Sequence, residues 1–424
     1  MKTSRIVQIF EHEVFTFSRA GIEISESTIQ DLYRVSERLK KEFGSEVFVL
    51  EFRGYRDFVG VRARQFAGIV RVNSELMLEF LPKMYNSGGK LSDKIASSID
   101  NLFFMLEYCG DLVGFSKDKA GYNFEKTSIF ETLIYIFATR LFAEIQKTPN
   151  CEYVSFDKNR RFLRGKMLVG ENIRHNSLNK VRFYTRKDDF TIDNELNHIF
   201  KLATKKLISV TRNSKNRQIL NQILIELSDV KSIDFNISKI SKIKTNSLNS
   251  RFDESLSLAK LFLLNMSAFG AGGRDEFVIL WEMNKLFERF ISQILLLKSP
   301  KQTKIILQGG DRYLSEFPKK FKLRPDIIIL ENDNCKIIDT KYKILSGENG
   351  FLNVNQSDIY QVFAYAKKFN AKEAVLLYPQ VENYEFGGEF IFDKNSKLEI
   401  KTIDLNRKIR KEIVEIEREI LKLL

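Results

Sequence analysis

The chain has 424 residues, 68 Lys and Arg against 55 Asp and Glu, and a formal net charge of +13. This length accommodates two or three domains, and 43% hydrophobic residues with only 6 Pro exclude wholesale disorder. Cys109, Cys151 and Cys335 make neither a disulfide framework nor a paired zinc motif. The opening MKTSRIVQIFEHE lacks a signal peptide's apolar stretch, and no apolar run is long enough for a membrane span. The expectation is a soluble, cytoplasmic protein with no membrane role.

The first elements read as mixed α/β. Ser25 opens a capped helix that runs through Leu39. A β-rich stretch over about 48–84 contains a hairpin, with Ala67–Val72 and Leu76–Leu81 flanking Asn73-Ser-Glu and Pro82 ending the second strand. Asn86-Ser-Gly-Gly is a loop, Ser92 starts a helix reaching about Tyr108, and residues 127–145 form an apolar, buried helix. Residues 151–250 hold most of the charge excess, 20 basic against 10 acidic, where residues 1–150 balance at 20 each. Three readings of that segment stay open: nucleic-acid binding, an acidic protein partner, or a solvated face. Within it, Arg161-Phe-Leu-Arg-Gly-Lys-Met-Leu-Val is strand-like, and a helix starts at Thr191 and continues through Ile208. Residues 214–265 are helical with polar breaks, and Ser267-Ala-Phe-Gly-Ala-Gly-Gly is a linker. The expected division is 1–265 and 270–424.

After the linker the pattern is helix (278–297), a strand at 304–308, a Gly309-Gly310 turn, then two β-rich runs. Leu323-Arg-Pro-Asp-Ile-Ile-Ile-Leu and Cys335-Lys-Ile-Ile-Asp-Thr-Lys-Tyr-Lys are separated by the turn Glu331-Asn-Asp-Asn. They are expected to pair as antiparallel neighbours, bringing Asp326 close to Asp339. Asp339 and Lys341, two apart, share a strand face. Two converging carboxylates suit Mg²⁺, which can polarise a phosphodiester and activate water. The lysine would orient or deprotonate that water, or stabilise charge on the phosphate. On the next helix Gln361 and Tyr365 stand at i and i+4, a polar pair that a metal or phosphate site would partner. Upstream, Glu288 is placed to extend the acidic cluster as a further metal ligand. Tyr342 and Lys343 read as packing and surface. His12, His175 and His198 share no ligand spacing, which argues against zinc or a histidine nucleophile. A C-terminal amphipathic helix over 409–424 is expected to pack on the sheet.

Arg324-Pro-Asp, Ile338-Asp-Thr-Lys and Gln361-Val-Phe-Ala-Tyr together resemble the PD-(D/E)XK nuclease superfamily, with the Gln-x-x-x-Tyr helix of RecB-type members. More narrowly, the chain resembles the McrC family, nuclease subunits of McrBC-type modification-dependent restriction systems. That resemblance rests on Gly68-Ile-Val, Leu78-Glu-Phe-Leu-Pro-Lys, Leu163-Arg-Gly-Lys, Asp193-Asn-Glu-Leu-Asn, Met283-Asn-Lys-Leu-Phe-Glu and Leu376-Leu-Tyr-Pro, in family order over about 55–380. It implies an α/β (α+β) fold: a C-terminal restriction-endonuclease-like domain preceded by a mixed α/β region that binds and stimulates a partner. It further implies a Mg²⁺-dependent endodeoxyribonuclease acting on double-stranded DNA with a McrB-like AAA+ GTPase ring. Asp326, Asp339, Lys341, Gln361 and Tyr365 would carry catalysis, with Asp326, Asp339 and Glu288 on the metal. The chain has no G-x-x-x-x-G-K-[ST] and so no P-loop motor of its own. The basic patch Arg160, Arg161, Arg164 and Lys166 would contact the motor or DNA, or be solvated. A non-catalytic activator of a ring NTPase and a stand-alone RecB-like repair nuclease are the alternative readings.

Overall fold

The computed structural model describes residues 5–54, 57–83, 90–112, 128–178, 180–233, 236–268, 277–331, 334–343, 345, 354–380, 388–393 and 396–424. The expected loop at 86–89, most of the expected linker (269–273) and the middle of the expected 331–334 turn lie outside these residues. The fold is mixed α/β and divides into two compact units: residues 1–129 with 274–424, and residues 130–273. No described helix is long and apolar enough to cross a membrane.

The first unit begins with β1 (Arg5–Phe10), β2 (Val14–Thr16) and α1 (Glu26–Phe43). The Ser25 side chain accepts from the Thr28 amide, capping α1 as its sequence predicts, and Leu32, Val35 and Leu39 recur at helical spacing on the buried side. Next come β3 (Phe48–Arg53), β4 (Asp57–Ala63), β5 (Phe66–Arg71), β6 (Leu76–Leu81) and α2 (Leu91–Tyr108). β5 and β6 form the expected antiparallel hairpin, and β1 runs parallel to β6 on its other side. β2, β4 and β3 make a separate three-stranded sheet.

The second unit holds α3 (Ile129–Lys147), β7 (Glu152–Arg160), β8 (Lys166–Met167), α4 (Val169–Asn176) and β9 (Phe183–Thr191). Four helices follow: α5 (Glu195–Val210), α6 (Ser214–Glu226), α7 (Ile237–Lys242) and α8 (Asp253–Ala268). β7 and β9 pair antiparallel over nine residues each, from Glu152↔Thr191 to Arg160↔Phe183. Two expectations shift here. Only Lys166 and Met167 of the strand-like run after Arg160 join the sheet, and α5 starts at Glu195, directly after the Asp193-Asn pair, rather than at Thr191. The Asn194 side chain is the cap that fixes this start, accepting from the Asn197 amide at 3.1 Å.

The chain then returns to the first unit with β10 (Phe277–Glu282) and α9 (Met283–Lys298). A helix was expected over this whole stretch, but Phe277-Val-Ile-Leu-Trp-Glu is a strand. A short apolar run rich in β-branched and aromatic residues does not reveal its period. The remaining elements are β11 (Lys304–Leu307), β12 (Tyr313–Ser315), β13 (Lys320–Lys322), β14 (Ile327–Glu331) and β15 (Asn334–Thr340). After them come α10 (Gln356–Phe369), β16 (Glu373–Gln380), β17 (Gly388–Asp393), β18 (Ser396–Asp404) and α11 (Ile413–Leu421). Six strands form one sheet in the order β11-β14-β15-β16-β18-β17, in which β15, β16 and β18 run parallel. α10 is the crossover between β15 and β16. Its Val362, Tyr365, Ala366 and Phe369 share a core with Ile328, Ile337, Leu376 and Leu398 of the sheet. α11 packs on α9 and β18, as expected of the C-terminal amphipathic helix.

The expected two-part division, 1–265 and 270–424, differs from the observed one. β10 pairs antiparallel with β5, so the sheet order is β1-β6-β5-β10 and the N-terminal strands fold with the C-terminal half. Asn101 of α2 reinforces this, donating to the Leu405 and Arg407 carbonyls while accepting from the Ile409 amide. Gly68 makes the β5–β10 contact possible. Its φ is +134°, and a Cβ there would collide with the Ile279 carbonyl. Gly68→Ala is expected to lower stability by about 2 kcal/mol or more, read as an earlier urea-unfolding midpoint. An unchanged midpoint would contradict this role for the glycine.

Candidate active site

Strand pairing assembles the acidic pair. Ile327↔Ile338 is the last pair of the β14–β15 register, so Asp326, just before β14, stands beside Asp339, the penultimate residue of β15. Side chains alternate along a strand, which puts Asp339 on the same face as Ile337 and Asp326 on the same face as Ile328, both toward α10. Thr340 holds Asp326 in place: its amide and its hydroxyl each donate to Asp326 Oδ2 at 2.8 Å. Gln308 adds a backbone contact, its amide donating to the Asp326 carbonyl at 2.8 Å.

Lys341 follows immediately after β15, its amide bonded to the Leu377 carbonyl of β16 at 2.8 Å. Its ammonium forms an ion pair with Asp339 Oδ2 and donates to Gln361 Oε1 at 3.1 Å. Gln361 Nε2 in turn donates to the Tyr365 hydroxyl at 2.8 Å, and that hydroxyl donates to the Arg324 carbonyl at 3.3 Å. Asp326, Asp339, Lys341, Gln361 and Tyr365 are thus brought to one place by two strands and one helix.

The site is partly buried and rich in negative charge. Asp339 is 1% exposed, and burial, together with the charge of Asp326, pushes its carboxyl up to about 6 against the pull of Lys341. Burial also raises Asp326, opposed by the two Thr340 hydrogen bonds and by Lys341. Burial alone would ease the proton off Lys341, but Asp339 and then Asp326 outweigh it and hold the ammonium above its usual range. The group most firmly charged in the cluster is therefore the lysine.

Glu288 is on α9, and its Oε1 accepts from Gln308 Nε2 at 2.7 Å. Burial raises its pKa first and the Asp326 charge raises it further, so it lies within the same field. Among the described residues, however, no three His, Cys, Asp or Glu side chains gather into a ligand cluster, so Glu288 does not complete a triad with the aspartates. The basic patch belongs to the second unit. Arg160 ends β7 half-buried, while Arg161, Arg164 and Lys166 are exposed beside the exposed Phe162 and Leu163. Gly165 lets this turn close against β9, with φ +83° and no room for a Cβ beside the Arg186 carbonyl.

Several residues of the neighbourhood were not singled out from sequence. Asp358, 6% exposed in the first turn of α10, pairs with Lys343 at 2.6 Å. Lys343 is exposed, as expected, and its ammonium reaches this buried carboxylate. Tyr378 of β16 is buried with no hydrogen-bond partner for its hydroxyl among the described residues, and the charges of Asp358 and Asp339 add to burial in raising its pKa. Both had a signal: Asp358 opens the Gln361–Tyr365 helix, and Tyr378 belongs to the Leu376-Leu-Tyr-Pro phrase.

Residues 61–379 match the family described as McrBC 5-methylcytosine restriction system component. No curated protein matches the chain. A chain of the Thermococcus gammatolerans assembly of McrB AAA+ hexamers with bound McrC has the same fold, with a TM-score of 0.75 at 21% identity. That alignment covers 97% of this chain and 100% of the other. A second chain, from the cryo-EM structure of the Thermococcus gammatolerans McrBC complex, aligns with a TM-score of 0.55 at 24% identity, over 70% of this chain and 90% of the other. The family match spans most of the chain and contains both aspartates, Lys341, Gln361 and Tyr365: this chain belongs to the McrBC restriction-system component family.

Proposed function

We propose that the chain is the DNA-cutting subunit of a McrBC-type restriction complex, a Mg²⁺-dependent endodeoxyribonuclease working with an AAA+ GTPase ring. The observation that carries the reading is the single cluster of Asp326, Asp339, Lys341, Gln361 and Tyr365 in a member of a restriction family. The similar Thermococcus gammatolerans assembly joins McrC to McrB AAA+ hexamers, which supports a ring partner for this chain as well.

The donors suit a hard divalent cation. They are carboxylate oxygens in a desolvated place, and both have raised pKa values, which marks a field that an added positive charge would relieve. Asp326 and Asp339 would hold Mg²⁺, which would polarise the scissile phosphodiester and acidify an attacking water. The chain's own groups do the rest. Lys341, kept charged by the aspartates, balances negative charge building on the phosphate. Gln361 fixes the ammonium by accepting from it, and Tyr365 fixes Gln361 from the far side. Thr340 prevents Asp326 from swinging away when DNA arrives.

Alanine at Asp326, Asp339 or Lys341 is expected to reduce cleavage by about 100-fold or more, assayed with the AAA+ partner, GTP and Mg²⁺ on methylated plasmid DNA. Stimulation of the partner's GTP hydrolysis should persist in the same variants. Undiminished cutting by Lys341→Ala would exclude the nuclease reading.

The electrostatics give a second expectation. The carboxyl of Asp339 is raised in the fold, so its contribution to stability is complete below the ordinary carboxylate range and is lost as pH rises through about 6. Asp339→Asn should therefore raise the melting temperature of the metal-free protein at about pH 8 and leave it unchanged at about pH 4. Added Mg²⁺ should stabilise the wild type and not the variant. A variant that melts lower at the higher pH would contradict the assigned charge balance.

A further inference from the structure

Just past Asp339 the chain makes a tight turn. The Lys343 amide donates to the Lys341 carbonyl at 2.8 Å, making a three-residue turn centred on Tyr342. The lysines on its two sides serve different acids: Lys341 goes to Asp339 and Gln361, and Lys343 to Asp358. The orientation of the Tyr342 peptide unit therefore governs where both ammonium groups are delivered.

What holds Tyr342 comes from the other end of the sequence. Lys83, after β6, is 1% exposed; its ammonium donates to the Tyr342 carbonyl at 3.1 Å and lies 4.1 Å from the centre of the Tyr342 ring. Glu11, after β1, is 2% exposed; its Oε2 accepts from the Tyr342 hydroxyl at 2.8 Å and from the Lys83 amide at 2.9 Å. Phe287 of α9 also packs against the Tyr342 ring, 5.8 Å between centroids. Burial pushes Glu11 up to about 7 and Lys83 down to about 8, each only partly relieved by the other. Apolar residues would fill such a place at least as stably, so an acid and a base retained here ask for a use beyond packing.

We infer that Glu11 and Lys83 are positioning residues for the cutting reaction, clamping the carbonyl, ring and hydroxyl of Tyr342 so that Lys341 is delivered to Asp339. This inference rests on the nuclease reading above. It makes two residues of the N-terminal strands part of the machinery that aims the C-terminal site. It also gives a use to Lys83, the last residue of the Leu78-Glu-Phe-Leu-Pro-Lys phrase.

The test compares Lys83→Met, Tyr342→Phe, Glu11→Gln, Glu11→Leu and Lys341→Ala with wild type, each assembled with the AAA+ partner. kcat and KM for methylated plasmid DNA are measured per folded molecule. Lys83→Met is expected to lose about 10- to 100-fold in kcat with KM changed less than about twofold, because a displaced lysine harms the reaction and not DNA binding. Tyr342→Phe, which removes one hydrogen bond, should lose several-fold. Glu11→Gln keeps an acceptor and should retain most of the activity that Glu11→Leu loses; a purely structural role would show no such rescue in kcat. Wild-type kcat in Lys83→Met beside an inactive Lys341→Ala overturns the inference and leaves the nuclease reading standing. Full activity in Lys341→Ala overturns both. Should Lys83→Met fail to fold, Tyr342→Phe and the Glu11 pair decide: wild-type kcat in Tyr342→Phe, or equal kcat in the two Glu11 variants, overturns the inference.

Discussion

Two carboxylates that the backbone will not let apart are the constraint on which the rest depends. The β14–β15 register sets Asp326 beside Asp339, and burial removes the water that would screen them. Such a pair is tolerable only if positive charge or protons are supplied. Lys341 supplies the first charge and is itself kept protonated by the acids, so each group maintains the state of the other. The surrounding polar residues secure this arrangement: Thr340 on one acid, Gln361 and Tyr365 behind the lysine, and Lys343 on Asp358. A site built this way carries a cost in stability.

The site is supported from both ends of the chain. The six-stranded sheet and α10 carry the acidic pair, the lysine and the Gln361–Tyr365 pair, while residues following the N-terminal strands reach the turn after Asp339. Arg289 of α9 also pairs with Asp111, and Arg410 with Glu107, so the first unit is tied together across its surface as well as in its core. The second unit is organised on its own by buried polar groups. Glu131 there accepts from the Thr211 hydroxyl, the Arg212 amide and the Asn216 side chain. Asn194 and Asn197 both donate to the Asn150 carbonyl.

Much of the site was legible because its residues come from short, ordered stretches. A hairpin-like pair of β-rich runs is enough to bring Asp326 to Asp339, and helical spacing is enough to align Gln361 with Tyr365. Glu11 and Lys83 were not legible, since nothing local marks two charged residues as buried when the tyrosine that both of them bond is more than 250 residues away. The strand β10 differs from expectation for a related reason: its five apolar residues acquire their conformation from β5, not from their own pattern. Several phrases that suggested the family are structural. Gly68 and Gly165 permit close backbone approach, and the Asp193-Asn-Glu-Leu-Asn run caps and anchors α5.

The β5–β10 pairing also fixes an order of events during synthesis. The first 129 residues leave the ribosome with β5 presenting an unpaired edge, and its partner strand emerges only after the whole second unit has been made. That unit, contiguous in sequence, is free to collapse in the interval, while the N-terminal strands wait with apolar surface uncovered. The six-stranded sheet, with the acidic pair it carries, is therefore finished last. Glu11 and Lys83, among the first residues made, wait for most of the chain before they meet Tyr342 in the turn after Asp339.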